Sequence, residues 1–299
     1  MNMPRGSNLD CLNSLNKNRM KKIVFTLAML VSLQLSQAQI VTPKASPSAE
    51  IEQVVGLTKF EINYARPAKK GRSVFGDLVP YGRMWRTGAN ENTTIDISDD
   101  IKINEQTLAK GKYALYTIPS PNRWEVIFYK TVDNWGLPQE FKEELVALKT
   151  SVPVQNTPHE VEYFTINVDP SSDNAGNLVL SWEKTMIKIP FIVPTHEKAM
   201  ESIRTLNAQS KASDYYAAGQ YLYTSGEDYE LALSYINKAI EMQPDAPYYM
   251  LRVKSLVQAK LGDKKGAIET AKISLSKAEV AGNADYVKMN KDSILEWSK

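Results

Sequence analysis

Cysteine is almost absent: the 299 residues contain one, Cys11. A single thiol cannot close an intrachain disulfide, so disulfide scaffolds and multi-thiolate metal sites are excluded. Histidine is nearly as scarce, with only His159 and His196. No His-Glu-x-x-His pattern joins them, and on a strand Glu160 would point away from His159, so no metal site is expected. Neither a Gly-x-Ser-x-Gly elbow nor a phosphate-binding glycine loop is present, and no cofactor is expected. Neither sign of charge dominates, with 36 Lys and Arg against 34 Asp and Glu. That balance lacks the basic footprint of a nucleic-acid-binding surface, so nucleic acid is not an expected partner. Long hydrophobic runs are missing too. The apolar stretch from Ile23 to Leu35 covers 13 residues and is interrupted by Thr26, Ser32 and Gln34, whereas a membrane-spanning helix needs about 20 apolar residues.

That stretch fits a secretory signal instead. Met20, Lys21 and Lys22 form a positive n-region, and Ser36-Gln37-Ala38 supplies small residues before Gln39. Cleavage is expected near Ala38–Gln39, with a membrane anchor as the alternative. No cysteine follows the apolar run, so a lipoprotein signal is not expected. Residues 1–19 precede a natural start at Met20 and read as an over-extended start, or else as a long n-region. Residues 1–38 carry Arg5, Lys17, Arg19, Lys21 and Lys22 against Asp10. Their removal turns the formal charge of +2 into −2 and takes away the only thiol. The expectation is an exported protein, periplasmic or extracellular, with no transmembrane segment in the mature chain.

The mature chain changes texture twice. Residues 39–50, with Pro43 and Pro47, read as a linker. Residues 51–194 read as a β domain. Thr58 to Tyr64 alternates, with Phe60, Ile62 and Tyr64 on one face, as a half-buried strand does. Further strands are predicted at Asn92–Ser98, Ile101–Ile103, Gly111–Ile118, Trp124–Tyr129, Glu160–Val168, Asn177–Glu183 and Thr185–Phe191, separated by turn-forming clusters. Many short strands without long helices between them indicate an antiparallel sandwich or barrel. One helix is predicted within the series, Pro138 to Lys149, from Phe141, Leu145 and Leu148 at spacings of three and four. Trp124, Trp135 and Trp182 lie in or beside strand-like stretches and are expected in the core.

Residues 195–299 read as helical. Ser213 to Glu279 holds a tandem pattern offset by 35 residues, which brings Ala232 onto Ala267 and Ala239 onto Ser274. The pattern resembles tetratricopeptide repeats, whose period is about 34 residues. An ordinary pair of helical hairpins is the alternative. Ala284 to Trp297 would cap the array. Such repeats imply a protein partner. Tyr215 and Tyr221 are placed either on the concave side, gripping that partner, or against the β domain.

Residues 71–95, GRSVFGDLVPYGRMWRTGANENTTI, stand apart. They are dense in glycine, aromatics and hydrogen-bonding groups and show no periodicity, as functional loops on a rigid sheet often do. With Ile103-Asn104 and the run Leu108 to Tyr116, LAKGKYALY, the stretch resembles domain-of-unknown-function family 2911 over roughly residues 40–190. Members of that family are exported proteins, mainly of Bacteroidetes-type bacteria. The resemblance implies a β-sandwich-like domain and an envelope location; it supplies no activity and no catalytic residue. The expected fold class is thus α+β and multidomain: an antiparallel β-sandwich-like domain followed by a tetratricopeptide-like hairpin array.

Two readings of the loop follow from its chemistry. In the first it forms a pocket from Arg72, Tyr81, Trp85, Arg86, Asn90 and Glu91. An arginine there would fork onto a carboxylate or phosphate, the aromatics would stack a sugar or another planar face, and Glu91 would be an acid or base. In the second, which is preferred, Arg86 and Glu91 form a structural ion pair beneath the loop while the aromatics plug the end of the β domain. Asp77 with Glu91 is a weaker candidate for a glycosidase-like carboxylate pair. The expected function is a non-enzymatic envelope binding module with a small-molecule or glycan ligand at 71–95. The alternative is a carbohydrate-active or other hydrolase that uses the same residues.

Overall fold

Alternation builds the sheet. In the strand Thr58–Ala65, Thr58, Phe60, Ile62 and Tyr64 are buried while Lys59, Glu61 and Asn63 reach outward. The computed structural model describes residues 42–299. Thr42–Pro47 contain neither helix nor strand. Nine strands follow: β1 (Ser48–Val55), β2 (Thr58–Ala65), β3 (Thr93–Ile97), β4 (Ile101–Ile103), β5 (Gln106–Leu108), β6 (Gly111–Ile118), β7 (Arg123–Tyr129), β8 (Val146–Ser172) and β9 (Ala175–Ile192). Their order is β1-β2-β3-β6-β7-β8-β9-β4-β5, and the pairings are antiparallel. β1 begins at Ser48, inside the stretch expected as a linker.

The long β8 joins the two halves of this sheet. Val146 to Pro153 pair with β7, and from Val154 onward β8 pairs with β9. Register shifts between Asn156 and Thr165 break the ladder in between, and such irregularities let a strand bend. Phe60 on β2 and Phe191 on β9 are far apart in strand order, yet their ring centroids lie 4.7 Å apart. The two halves therefore share a core, which includes Ile62, Ile95, Leu115, Val126, Phe164 and Ile189. β6 and β7 are buried on their other face as well, where Tyr116, Ile127 and Tyr129 lie under Met84, Phe141 and Leu145. Burial on both faces is why Tyr113 to Thr117 do not alternate.

The predicted helix at Pro138–Lys149 is not formed. A single 3-10 turn, Glu143–Leu145, leads directly into β8. Phe141 stacks on Tyr129 with centroids 5.1 Å apart, whereas Leu148 belongs to the main core. The spacing that suggested one helical face is divided between two faces of a sheet.

Six helices follow the sheet among the described residues: α1 (Thr195–Arg204), α2 (Ala212–Ser225), α3 (Tyr229–Met242), α4 (Tyr248–Lys260), α5 (Lys264–Val280) and α6 (Ala284–Trp297). From α2 onward each packs mainly against its neighbours in the chain. Side chains cap three of them: Asp228 accepts from the Leu231 amide, Asp263 from that of Gly266 and Asn283 from that of Tyr286. Ala232 and Ala239 on α3 and Ala267 and Ala271 on α5 are fully buried, so the small residues of the 35-residue pattern sit where helices approach closely.

Arg252 on α4 breaks the apolar packing. Its Nη2 donates to Ser293 Oγ on α6 at 3.0 Å, and its guanidinium lies 6.0 Å from the Trp297 ring centroid. Its buried Nη1 has no partner, and among the described residues no carboxylate pairs with it. Burial pulls its pKa below the usual arginine value, against the opposing influence of Tyr223 and Tyr286. An orphaned buried donor costs about 1–3 kcal/mol, and replacing a buried charge by a well-packed apolar group is often neutral or stabilising. Arg252→Met is therefore expected to be at least as stable as the wild type, with a gain of about 1 kcal/mol. A lowered thermal midpoint would show that the Ser293 and Trp297 contacts outweigh the orphan.

Candidate functional site

The 71–95 loop is held by its own backbone and by β6. Arg72 is exposed, and its guanidinium donates to the carbonyls of Lys69 (2.9 Å) and Ala68 (2.7 Å), closing the turn that carries it. Val74, Phe75 and Val79 enter the main core. Tyr81, 42% exposed, lies with its ring against Gly76. Trp85 exchanges two backbone hydrogen bonds with Thr117 on β6, at 2.7 and 3.0 Å. Its indole N–H donates to the Gly88 carbonyl at 3.0 Å. Its ring stacks on Trp182 with centroids 6.0 Å apart and meets Phe164, Phe75 and Trp124 edge-on. Trp85 is thus one wall of the aromatic core.

Arg86 turns the other way. Its Nη1 donates to the Asn90 carbonyl at 2.7 Å, closing a tight loop in which Asn90 has a φ of +60°. Glu91 is exposed, and among the described residues no ion pair joins it to Arg86. The expected Arg86–Glu91 pair is therefore not formed; the nearby backbone carbonyl takes its place. The structure brings Arg86 and Asn90 together and puts Trp85 behind them. No described hydrogen bond or ring contact links Arg72 or Tyr81 to Arg86.

A second loop completes this face. The Asn92 amide donates to the Asn134 carbonyl (3.3 Å), Asn134 Nδ2 donates to the Tyr116 hydroxyl (3.2 Å), and the Tyr116 hydroxyl donates to the Gly136 carbonyl (3.4 Å). Asn92 is only 5% exposed, and its Oδ1 has no partner. Gly136 has a φ of +93°, and a Cβ there would lie 2.8 Å from Arg86 Nη1. The positive φ favours glycine at this position, and a Cβ would push the Arg86 guanidinium aside. Between these anchors Trp135 is 73% exposed, which overturns its expected place in the core. The Asn134–Trp135–Gly136 turn projects the indole outward, whereas Trp124 and Trp182 sit in strands and are buried. Sequence reasoning missed Trp135, although its neighbours Asn134 and Gly136 were a turn signal.

A separate cavity of about 550 Å3 lies where the β1–β2 and β8–β9 turns meet α1 and α2. Asp173, Asp214, Tyr221, Ser202, Thr205 and Ser210 are among its lining residues. Tyr221 thus faces the β domain, and its hydroxyl lies 3.2 Å from His196 Nδ1. Burial raises the Tyr221 pKa, and the carboxylates of Glu227, Asp173 and Glu197 raise it further. No local pattern announces this cavity, because segments far apart in the chain assemble it.

The combination of sheet and loop can now be compared with known families. Residues 46–191 match the family described as Protein of unknown function (DUF2911). The matched segment holds all of β1 to β8, most of β9 and the loop bearing Arg86, and the helices lie beyond it. No curated protein and no solved structure matches the chain. Among the described residues no helix is long and apolar enough to cross a membrane. The stretch from Ile23 to Leu35 and the expected cleavage point lie outside the described residues.

Proposed function

We propose that the chain is an exported cell-envelope protein that binds rather than catalyses. In this reading a sandwich-like DUF2911 domain presents a glycan-binding face, and tetratricopeptide-like hairpins contact a protein partner. The observation that carries the ligand site is Trp135, 73% exposed on a loop pinned at Asn134 and Gly136 and flanked by Arg86. A rigidly presented indole offers a stacking face for the C–H side of a sugar ring at little entropic cost. A guanidinium carries five donors, and the Asn90 carbonyl takes one of them, so Arg86 can serve hydroxyl groups at the ring edge. Arg72, Tyr81 and Glu91 would contribute at most to the rim.

The hydrolase alternative would need Arg86, Glu91 and Trp85 to converge on one open pocket, and the Trp85 ring packs with the aromatic core instead. Support for the repeats comes from Ala232 and Ala267, which are 35 residues apart and both fully buried. Export rests on the segment from Met20 to Ala38.

The test is calorimetry against chito-, cello- and xylo-oligosaccharides. Trp135→Ala is expected to weaken binding about tenfold, or about 1.4 kcal/mol. It should leave unfolding within about 0.5 kcal/mol, as for other exposed sites. Failure of every oligosaccharide to bind, or binding indifferent to Trp135→Ala, would overturn the glycan reading.

A further inference from the structure

The cavity between the DUF2911 domain and the first helices has no part in the Trp135 face. We infer that it is a second binding site, for a small organic cation: an amine carried on an apolar body. Its volume of about 550 Å3 falls in the range of small-molecule sites, about 300–1,000 Å3. Leu57, Ile203 and Leu206 make much of its wall apolar. Its charged groups share one sign, because Asp173 and Asp214 line it and no lysine, arginine or histidine does.

The two carboxylates have different duties. Asp214 accepts from the Lys211 amide at 2.8 Å and from Ser213 Oγ at 3.3 Å, so it serves the start of α2 and contributes mainly its field. Among the described residues the Asp173 side chain makes no hydrogen bond or ion pair. Lys198, which reaches the Leu57 carbonyl at 3.5 Å, is committed to Asp99 at 2.7 Å. The Tyr221 hydroxyl offers a further oxygen beside His196. A protonated amine would donate to Asp173 and to Tyr221 and bury its hydrocarbon against Leu57, Ile203 and Leu206. An anion of the same shape would meet Asp173 and Asp214 with no cationic residue in the lining to offset them. Because the DUF2911 domain supplies one wall and the helices another, the ligand would also tie the two together.

Calorimetry on the full chain with two matched probes tests this. 2-Phenylethylamine and 3-phenylpropanoate share a phenylethyl body and differ in the sign of charge. The amine is expected to bind and to raise the thermal midpoint by mass action, and the carboxylate to do neither. Asp173→Asn should weaken amine binding at least tenfold, while Trp135→Ala should leave it unchanged, which separates this site from the glycan face. Equal binding of both probes, no binding of the amine, or an affinity unmoved by Asp173→Asn would overturn the inference. Should Asp173→Asn fail to fold, the comparison of the two probes on the wild-type chain decides alone.

Discussion

Trp182→Ala is expected to cost the β domain about 3–5 kcal/mol, the range for removing a large aromatic from a packed core. Total stabilities are commonly about 5–15 kcal/mol, so such a loss leaves the domain marginal or unfolded. Trp182 is 1% exposed and central to the aromatic cluster. Its ring stacks on Trp85, meets Phe75 edge-on at 6.2 Å and packs on Phe164 at 5.9 Å. Its indole N–H donates to the Glu162 carbonyl at 3.1 Å, a bond that alanine removes while the Lys69 amide still donates to that carbonyl at 2.8 Å. Urea unfolding followed by far-UV circular dichroism would measure the loss. Trp182→Phe, which keeps an aromatic ring but not the hydrogen bond, should lose much less. An alanine variant within about 1 kcal/mol of wild type would mean that the cluster collapses around the cavity, and would remove Trp85 from its assigned place in the core.

The consequence reaches the candidate site, because Trp85 belongs to the same loop as Arg86. With Trp182 gone, Trp85 loses its stacking partner, and Arg86 is the next residue in the chain. Glycan binding by Trp182→Ala, if it remains folded, should therefore weaken with no ligand contact removed. Trp135→Ala offers the converse: a tryptophan deleted with binding lost and stability kept. The two variants distinguish a tryptophan that holds the fold from one that faces solvent.

The strands with a single buried face were legible. Thr58–Ala65, Thr93–Ile97 and Ile101–Ile103 fall where alternation and turn residues place them. The long strands were read in pieces for a physical reason. Asn177–Glu183 and Thr185–Phe191 are one strand, β9, and the break between them coincides with Glu183 at a φ of +56° and a register shift opposite. What looked like two elements was one strand interrupted. β5 is three residues long, with two of them exposed, and carries no pattern to read. The helical character of the chain after Pro194 was legible from its continuous helical patterning.

The site was less legible, because composition does not fix the direction of a loop side chain. Trp85 among arginines left two readings open, a ligand platform or the preferred plug of the β domain, and its ring packs against the core beside two backbone bonds to Thr117. Trp135 suggested a core residue, but the conformation of Gly136 turns it out. Arg86 and Glu91, five positions apart and oppositely charged, suggested an ion pair, but the Asn90 carbonyl lies closer at hand in the loop. In each case the outcome depends on backbone geometry over four or five residues, which residue type alone does not specify.

Gly56→Ala is expected to separate the helices from the sheet. Replacing glycine by alanine often stabilises a protein by about 0.4–1 kcal/mol through the unfolded chain, provided that alanine can adopt the native conformation. Here it cannot. Gly56 has a φ of +56° at the first position of the two-residue β1–β2 turn, where a type II′ turn calls for glycine. A Cβ there would also overlap the Asp173 carbonyl oxygen and Thr195 Oγ1. Asp173 lies in the β8–β9 turn and Thr195 begins α1, so the methyl group would enter the meeting point of three segments. A side chain could swing aside, but the carbonyl cannot move without the turn that carries it. Overpacking costs about 1–3 kcal/mol, and a left-handed conformation adds about 1–2 kcal/mol for a residue with a Cβ. The expected total is a loss of about 2–5 kcal/mol. Neither the Trp182 cluster nor the apolar cluster of α1 to α4 includes Gly56. The loss should therefore fall on docking. The contacts at risk are the bond from the Leu57 amide to Thr195 Oγ1 (3.3 Å), that from the His196 amide to Asn174 Oδ1 (3.1 Å), and the Lys198–Asp99 pair. Limited proteolysis should then cut near Val193–Thr195 in the variant under conditions that spare the wild type, and 2-phenylethylamine should no longer bind. A variant that resists proteolysis and melts like the wild type would show that the junction can open to admit a methyl group, and the cavity beside it would then lack the rigid walls that selective binding requires.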